Sequence, residues 1–99
     1  FIIQKEVGTS SWFCFTMIVD QHYGLERKKV LSALSEAEIE HRMITGGNFL
    51  RHDVIKYFDY QVTKFVNADI SHDNGFFVGN HPVDIRDKID YLYETLKNI

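Results

Sequence analysis

The 99-residue sequence contains a single cysteine, Cys14, and a single proline, Pro82. One thiol cannot form a disulfide within the chain, so a reducing, cytoplasmic location is expected. A lone cysteine can act as a nucleophile, but Cys14 lies in the most apolar stretch of the chain, where a buried thiol is unreactive. We therefore predict that Cys14 belongs to the core.

Long apolar runs and an excess of positive charge are also missing. No run of about 18 apolar residues is present, so no transmembrane helix is expected. The apolar start at Phe1–Glu6 is too short for a signal peptide. The formal net charge is −3 and no basic stripe occurs, which predicts neither a nucleic-acid partner nor a membrane partner.

Complete catalytic or metal-binding signatures are absent. The five histidines have none of the spacings typical of a metal site. The adjacent pairs His52-Asp53 and His72-Asp73 should point apart in regular structure. Neither a glycine-rich phosphate loop nor a GxSxG turn occurs. A small hydrolase using Asp and His is the weakest functional alternative, because no Ser or Cys lies in a suitable pattern.

The rest of the composition is typical of one folded domain. Hydrophobic residues make up 44%, charged residues 25% and aromatic residues 14% of the chain. A chain of this length can bury a core without disulfides or metals, so residues 1–99 are interpreted as a single domain. Because the sequence begins with Phe1 rather than methionine, we expect a piece of a longer protein or a processed product.

Hydrophobic periodicity predicts a mixture of strands and helices. Trp12–Val19 is apolar on both faces, which favours a central strand covered on both sides. The other expected elements, in order, are a strand or lead-in at Phe1–Val7, a turn at Asp20–Gly24, a helix at Leu25–Ala37, a strand at Ile39–Ile44, helical turns within Phe49–Phe58, a short helix at Phe65–Asp73, a turn at Asn74–Gly75, a strand at Phe76–Gly79 and a helix from Pro82 to about Asn98. The predicted fold is α/β (α+β): a two-layer sandwich with a small, mostly antiparallel sheet and helices on one face.

Two strand ends carry residues that could form a site. The strand Ile39–Ile44 runs into Thr45–Asn48, where two glycines allow unusual backbone conformations or the close approach of a ligand. A simple connector that needs positive φ explains the same residues, and composition alone favours that connector. At the second strand end, Gly79–Pro82, the favoured interpretation is that Asn80 and His81 cap the last helix.

Three stretches in order are more specific than any one alone. Ser10–Phe15, Glu40–His52 and Asn67–Pro82 resemble successive segments of the sugar aminotransferases and nucleotide-sugar 3-dehydratases of the fold type I pyridoxal-phosphate superfamily. The resemblance spans nearly the whole chain, but only the small C-terminal domain of those enzymes. Two positions depart from the family pattern, since Cys14 replaces a glycine and Asp53 replaces a proline.

The resemblance implies a role in a longer enzyme. That parent would act on a nucleotide-linked 4-keto-6-deoxysugar by C3 dehydration, in lipopolysaccharide or O-antigen sugar biosynthesis. It would be a homodimer that holds pyridoxal or pyridoxamine phosphate (PLP or PMP) in its large domain. The chain alone would then bind no cofactor, carry no catalytic residue and be inactive.

The same resemblance implies which residues face the nucleotide sugar. They are Arg42, Thr45, Gly46, Gly47, Asn48 and Arg51. Either arginine could bind phosphate oxygens in a bidentate manner, and a surface ion pair is an equal alternative for both. For Asn48 the two alternatives are a hydrogen bond to a sugar hydroxyl and capping of the helix that follows.

Two other functions stay open at this point. One is the small domain of a sugar aminotransferase, and the other is a free-standing α/β binding module; the Thr45–Asn48 segment favours the dehydratase. If the chain is part of a larger enzyme, apolar residues that met the large domain should be exposed and should cause association. The candidates are Phe1, Ile2, Ile3 and Phe49.

Overall fold

The computed structural model describes all residues from 1 to 99. Its four strands form one antiparallel sheet in the order β1-β2-β4-β3. The elements are β1 (Ile2–Ile3), β2 (Cys14–Ile18), α1 (Arg27–Glu36), β3 (His41–Met43), α2 (Val66–Asn74), β4 (Gly75–Gly79) and α3 (Arg86–Lys97), with short 3-10 helices at Gln21–Tyr23, Phe49–Arg51 and Asp53–Tyr57. The predicted fold class is confirmed, and β2 occupies the central position expected of it.

The core lies between the sheet and the helices α1 and α3. Met17 of β2 is paired with Phe76 of β4, and both side chains point toward the helices and are buried. Val30 and Leu34 of α1, one turn apart, are fully buried against them. The other apolar residues that pack against this core, from α1, α3 and the connections, are only partly buried, namely Leu25, Leu31, Ile39, Leu92, Leu96 and Ile99. One helical layer therefore covers one side of the sheet.

The opposite side of the sheet is not buried. Cys14, Thr16 and Ile18 alternate with Phe15 and the core residue Met17 and stay partly exposed. The prediction that this strand is covered on both faces is therefore wrong, and so is the prediction that Cys14 belongs to the core. The apolar character of this face reflects something other than burial within the chain.

Several strands are shorter than the sequence predicts. The first strand contains only Ile2–Ile3, and β2 begins at Cys14 because Trp12 has a φ of 46°, which is incompatible with a strand. The predicted turn at Asn74–Gly75 does not exist, because α2 ends at Asn74 and β4 begins at the next residue.

The last helix also begins later than predicted. The helix α3 starts at Arg86, with Ile85 as its N-cap, rather than at Pro82. Just before it, Asp84 accepts from the backbone N–H of Arg86. The Arg86 guanidinium also donates to the Asp84 carboxylate and holds the pKa of that carboxyl below its usual range. Both side chains are at the surface, so the pair contributes little to stability. No helix is both long and apolar enough to cross a membrane.

The chain exposes more surface than a compact protein of its mass. Its accessible surface is 8020 Å², whereas a folded monomer of this mass should expose about 5,800 Å². Phe13 is 90% exposed, and the four residues singled out from the sequence are between 42% and 54% exposed: Phe1, Ile2, Ile3 and Phe49. The excess is larger than the roughly 800 Å² that one partner contributes to a standard interface.

We therefore expect the isolated chain to self-associate as its concentration rises, because exposed aromatic surface favours association. Light scattering should show a growing average mass. The variant Phe13→Ser should shift the onset of association to higher concentration. Val83→Ser is the matched control, because Val83 is an isolated exposed residue before α3. A monodisperse monomer at high concentration would contradict this prediction.

Candidate functional site

The segment Thr45–Asn48 forms a loop between β3 and the 3-10 helix Phe49–Arg51. Thr45 and Gly46 are exposed, whereas Asn48 retains only 6% of its surface. Gly47 has a φ of +52°, a conformation that glycine adopts without strain. The connector interpretation was therefore correct about the backbone, although the loop is more ordered than a simple connector requires.

Asn48 holds the loop in place through three hydrogen bonds. Its side-chain oxygen accepts from the backbone N–H of Leu50 at 3.0 Å and caps the following 3-10 helix. Its side-chain amide donates to Asp69 of α2 at 2.9 Å, and its backbone N–H donates to Nδ1 of His72 at 3.1 Å. The capping alternative is thus observed. Contact with a sugar hydroxyl stays a prediction.

Arg51 joins the same group of residues. Its guanidinium lies 2.6 Å from the carboxylate of Asp73 and 3.7 Å from that of Asp69. The pairs are partly exposed, so each contributes modestly to stability. Two carboxylates nevertheless neutralise the positive charge of Arg51, which leaves less of it for an incoming phosphate.

Arg42 lies apart from this group. It projects from β3 on the unburied side of the sheet, in register with Phe77 of β4. Its guanidinium is 2.8 Å from the carboxylate of Glu40, two residues away, and the side chain is 70% exposed. The structure therefore brings together Gly46, Gly47, Asn48 and Arg51, with Thr45 at the rim and Arg42 outside.

The second strand end has a different role from the one predicted. Asn80 donates from its side-chain amide to the carbonyl of Trp12 at 2.7 Å and accepts from the backbone N–H of His81. Because α3 begins at Arg86, Asn80 and His81 do not cap it, and that prediction is wrong. Asn80 instead stabilises the strained backbone at Trp12, beside an apolar cleft of about 610 Å³ between the sheet and α3.

Three residues of the loop's surroundings were not assigned from the sequence: Asp69, His72 and Asp73. All three lie in α2, more than 20 residues after the loop. The ring of His72 meets that of His52 edge to face, with 6.0 Å between centroids, although the sequence spacing gave no sign of it. The signal available was the segment around Asp69, which belongs to a stretch that resembles the family. No group of three His, Cys, Asp or Glu side chains is arranged to hold a metal ion.

Comparison with known proteins identifies relatives over almost the whole chain. The GDP-4-keto-6-deoxy-D-mannose 3-dehydratase of an enteropathogenic strain of Escherichia coli is 50% identical over 96% of this chain and 25% of its own length. The enzyme of the same name from Yersinia pseudotuberculosis is 40% identical over the same shares. A lipopolysaccharide biosynthesis protein of Salmonella typhimurium is 27% identical over 88% of this chain and 20% of its own length. No protein-family model matches the chain.

Solved structures agree with the sequence relatives. The Escherichia coli GDP-4-keto-6-deoxy-D-mannose-3-dehydratase with bound hydrated PLP superposes with a TM-score of 0.91 at 47% identity, over 96% of this chain and 25% of that one. A mutant GDP-4-keto-6-deoxymannose-3-dehydratase with bound GDP-perosamine gives a TM-score of 0.90 at 47% identity over the same shares.

The chain is therefore a homologue of the C-terminal part of nucleotide-sugar 3-dehydratases that bind PLP. Within that group, the similarity is to GDP-4-keto-6-deoxymannose 3-dehydratase, of which the chain spans about a quarter. The resemblance inferred from the three sequence stretches is confirmed.

Proposed function

We propose that residues 1–99 are the C-terminal domain of an enzyme that dehydrates a nucleotide-linked 4-keto-6-deoxysugar at C3, in the supply of a lipopolysaccharide sugar. The observation that carries the proposal is the 50% identity over 96% of the chain to a GDP-4-keto-6-deoxy-D-mannose 3-dehydratase. The large exposed surface supports it, because a domain that packs against a larger one leaves such a surface when alone. The same surface disfavours a free-standing binding module.

The residues present do not form a cofactor site by themselves. All seven lysines are exposed, so none is set in an enclosed pocket. The polar groups around the loop are already paired with one another. PLP or PMP would therefore be held by the rest of a full-length, homodimeric, cytoplasmic enzyme. This chain would contribute a wall of the substrate site.

Arg42 is the better placed of the two arginines to bind a phosphate of the nucleotide sugar. Its one partner, Glu40, forms an exposed ion pair, which is typically worth under about 1 kcal/mol and is easily exchanged. Arg51 is held between two carboxylates and serves the loop instead. In this proposal Arg42 binds the substrate, whereas Arg51 and Asn48 hold the loop that faces the sugar.

In the full-length enzyme we expect Arg42→Ala to raise KM for the nucleotide sugar roughly tenfold, because a charge-assisted hydrogen bond is lost. Steady-state kinetics measure this directly. Arg86→Ala is the matched control, since Arg86 is also an exposed arginine paired with a carboxylate two residues away. Equal KM values for the two variants would show that Arg42 is only a surface ion pair.

Identification of the reaction product of the full-length protein tests the proposed activity. The gene should continue upstream into a cofactor-binding domain, and the full-length protein with GDP-4-keto-6-deoxymannose should give a product that lacks the C3 hydroxyl. Mass spectrometry and NMR distinguish this product from an amino sugar. An amino sugar would establish the aminotransferase alternative, and a start codon immediately before the codon of Phe1, with no upstream domain, would establish the free-standing module.

A further inference from the structure

One histidine makes contact with two consecutive residues of the loop. Nδ1 of His72 accepts a hydrogen bond from the backbone N–H of Asn48 at 3.1 Å. The same ring packs against the α-carbon of Gly47, where any side chain would overlap with it. His72 therefore sets both the hydrogen bonding and the space available to the backbone at Gly47 and Asn48.

The helix that carries His72 is itself fixed to the core. Arg27, in the first turn of α1, donates to the carbonyl of His72 at 2.7 Å and to that of Gly75 at 3.1 Å. The backbone N–H of Val19 donates to the carbonyl of Asn74 at 3.0 Å, and Gln21 donates to the Asn74 side chain. A cation at the C-terminal end of α2 also suits the helix dipole. Because α2 is fixed in this way, the loop that it contacts is held in place relative to the buried core.

We propose that His72 is the positioning residue of the Thr45–Asn48 loop, which it holds through an Nδ1 that accepts from the backbone of Asn48. An imidazole nitrogen accepts a hydrogen bond through its lone pair, and protonation turns that nitrogen into a donor facing another donor. The neutral ring with its proton on Nε2 is the form that fits. The consequence for the substrate rests on the proposed function.

The charged groups around the ring come from three elements. Asp69 and Asp73 lie one turn before and one residue after His72 on α2, and Arg51 pairs with both of them. His52 approaches from the loop side, and its Nε2 is 2.8 Å from the carbonyl of Gly46. Because a carbonyl oxygen only accepts hydrogen bonds, His52 donates from Nε2, and the loop is held by two histidines, at Gly46 and at Asn48.

The first test measures amide hydrogen exchange on this chain, independently of any activity. We expect the Asn48 amide to be protected in the native chain and to lose protection roughly tenfold in His72→Ala, because one neutral hydrogen bond is lost. The Phe76 amide in the core serves as the folding control. His72→Asn, whose side-chain oxygen can accept from Asn48, should keep the protection. Unchanged Asn48 exchange in His72→Ala would overturn the proposal.

The second test measures KM and kcat in the full-length enzyme. His72→Ala should raise KM several-fold with a smaller change in kcat, and His72→Asn should restore KM, because its side-chain oxygen can accept from Asn48. His22→Asn is the matched control, on an exposed histidine of the 3-10 helix Gln21–Tyr23, outside the loop. If exchange changes as predicted and KM does not, the positioning role stands and the placement of the loop at the substrate fails. The two hypotheses are therefore separable.

Discussion

Replacing Leu34 with alanine is expected to lower the free energy of unfolding by about 2–5 kcal/mol. Leu34 is fully buried, and the buried apolar core of this domain comprises only six residues. A cavity in so small a core cannot be filled by its neighbours without moving the sheet or α3. Because domains are stable by only about 5–15 kcal/mol, the variant should be partly unfolded at physiological temperature.

Urea unfolding followed by far-UV circular dichroism measures this loss. Leu31→Ala is the control, because Leu31 lies on the same helix and is only partly buried. It should cost less than half as much, since less apolar surface leaves water. Equal losses of unfolding free energy in Leu31→Ala and Leu34→Ala would contradict the deeper burial of Leu34 in the core.

A second large loss of stability is expected from a substitution at the junction of α2 and β4. In Gly75→Ala the added methyl group would overlap with the side chain of Ile44 and with the carbonyl oxygen of Ser71. The backbone at Gly75 has a φ of −86°, which alanine can adopt, so the cost is steric alone. Overlap with a helix carbonyl cannot be relieved by a rotamer change, and we expect a loss of about 1–3 kcal/mol or more.

The matched control is Gly79→Ala at the other end of the same strand. A methyl group there meets no atom within 4 Å, and we expect a change within about 0.5 kcal/mol. Thermal unfolding of the two variants side by side gives the comparison. Similar melting temperatures would contradict the close approach of Ile44 and Ser71 to Gly75.

The elements that are marked by a regular spacing of apolar residues could be predicted from the sequence. Val30 and Leu34 recur at the helical spacing and mark the buried face of α1, and the short helix predicted at Phe65–Asp73 is observed at Val66–Asn74. The exposed side of β2 was not predictable in the same way. Apolar residues on both faces of a strand predict that both are covered, but the sequence pattern does not report whether the cover belongs to the same domain.

The site was predictable only in part, for a related reason. Gly47 and Asn48 could be found because glycine and asparagine mark unusual backbone. Their partner His72 is 24 residues from Asn48, and no local pattern reports a contact at that separation. The prediction for Asn80 was wrong for the same reason, because the partner of Asn80, the carbonyl of Trp12, is 68 residues away.

The direct passage from α2 into β4 has a consequence for how any ligand meets the Thr45–Asn48 loop. With no turn between helix and strand, α2 cannot swing on a hinge without breaking the sheet pairing of Gly75 with Ile18. In the proposed function, a loop bound to such a helix would be a preformed wall rather than a lid. Little conformational entropy would then be lost when a ligand binds against it, and selectivity would come from the fixed shape of the wall.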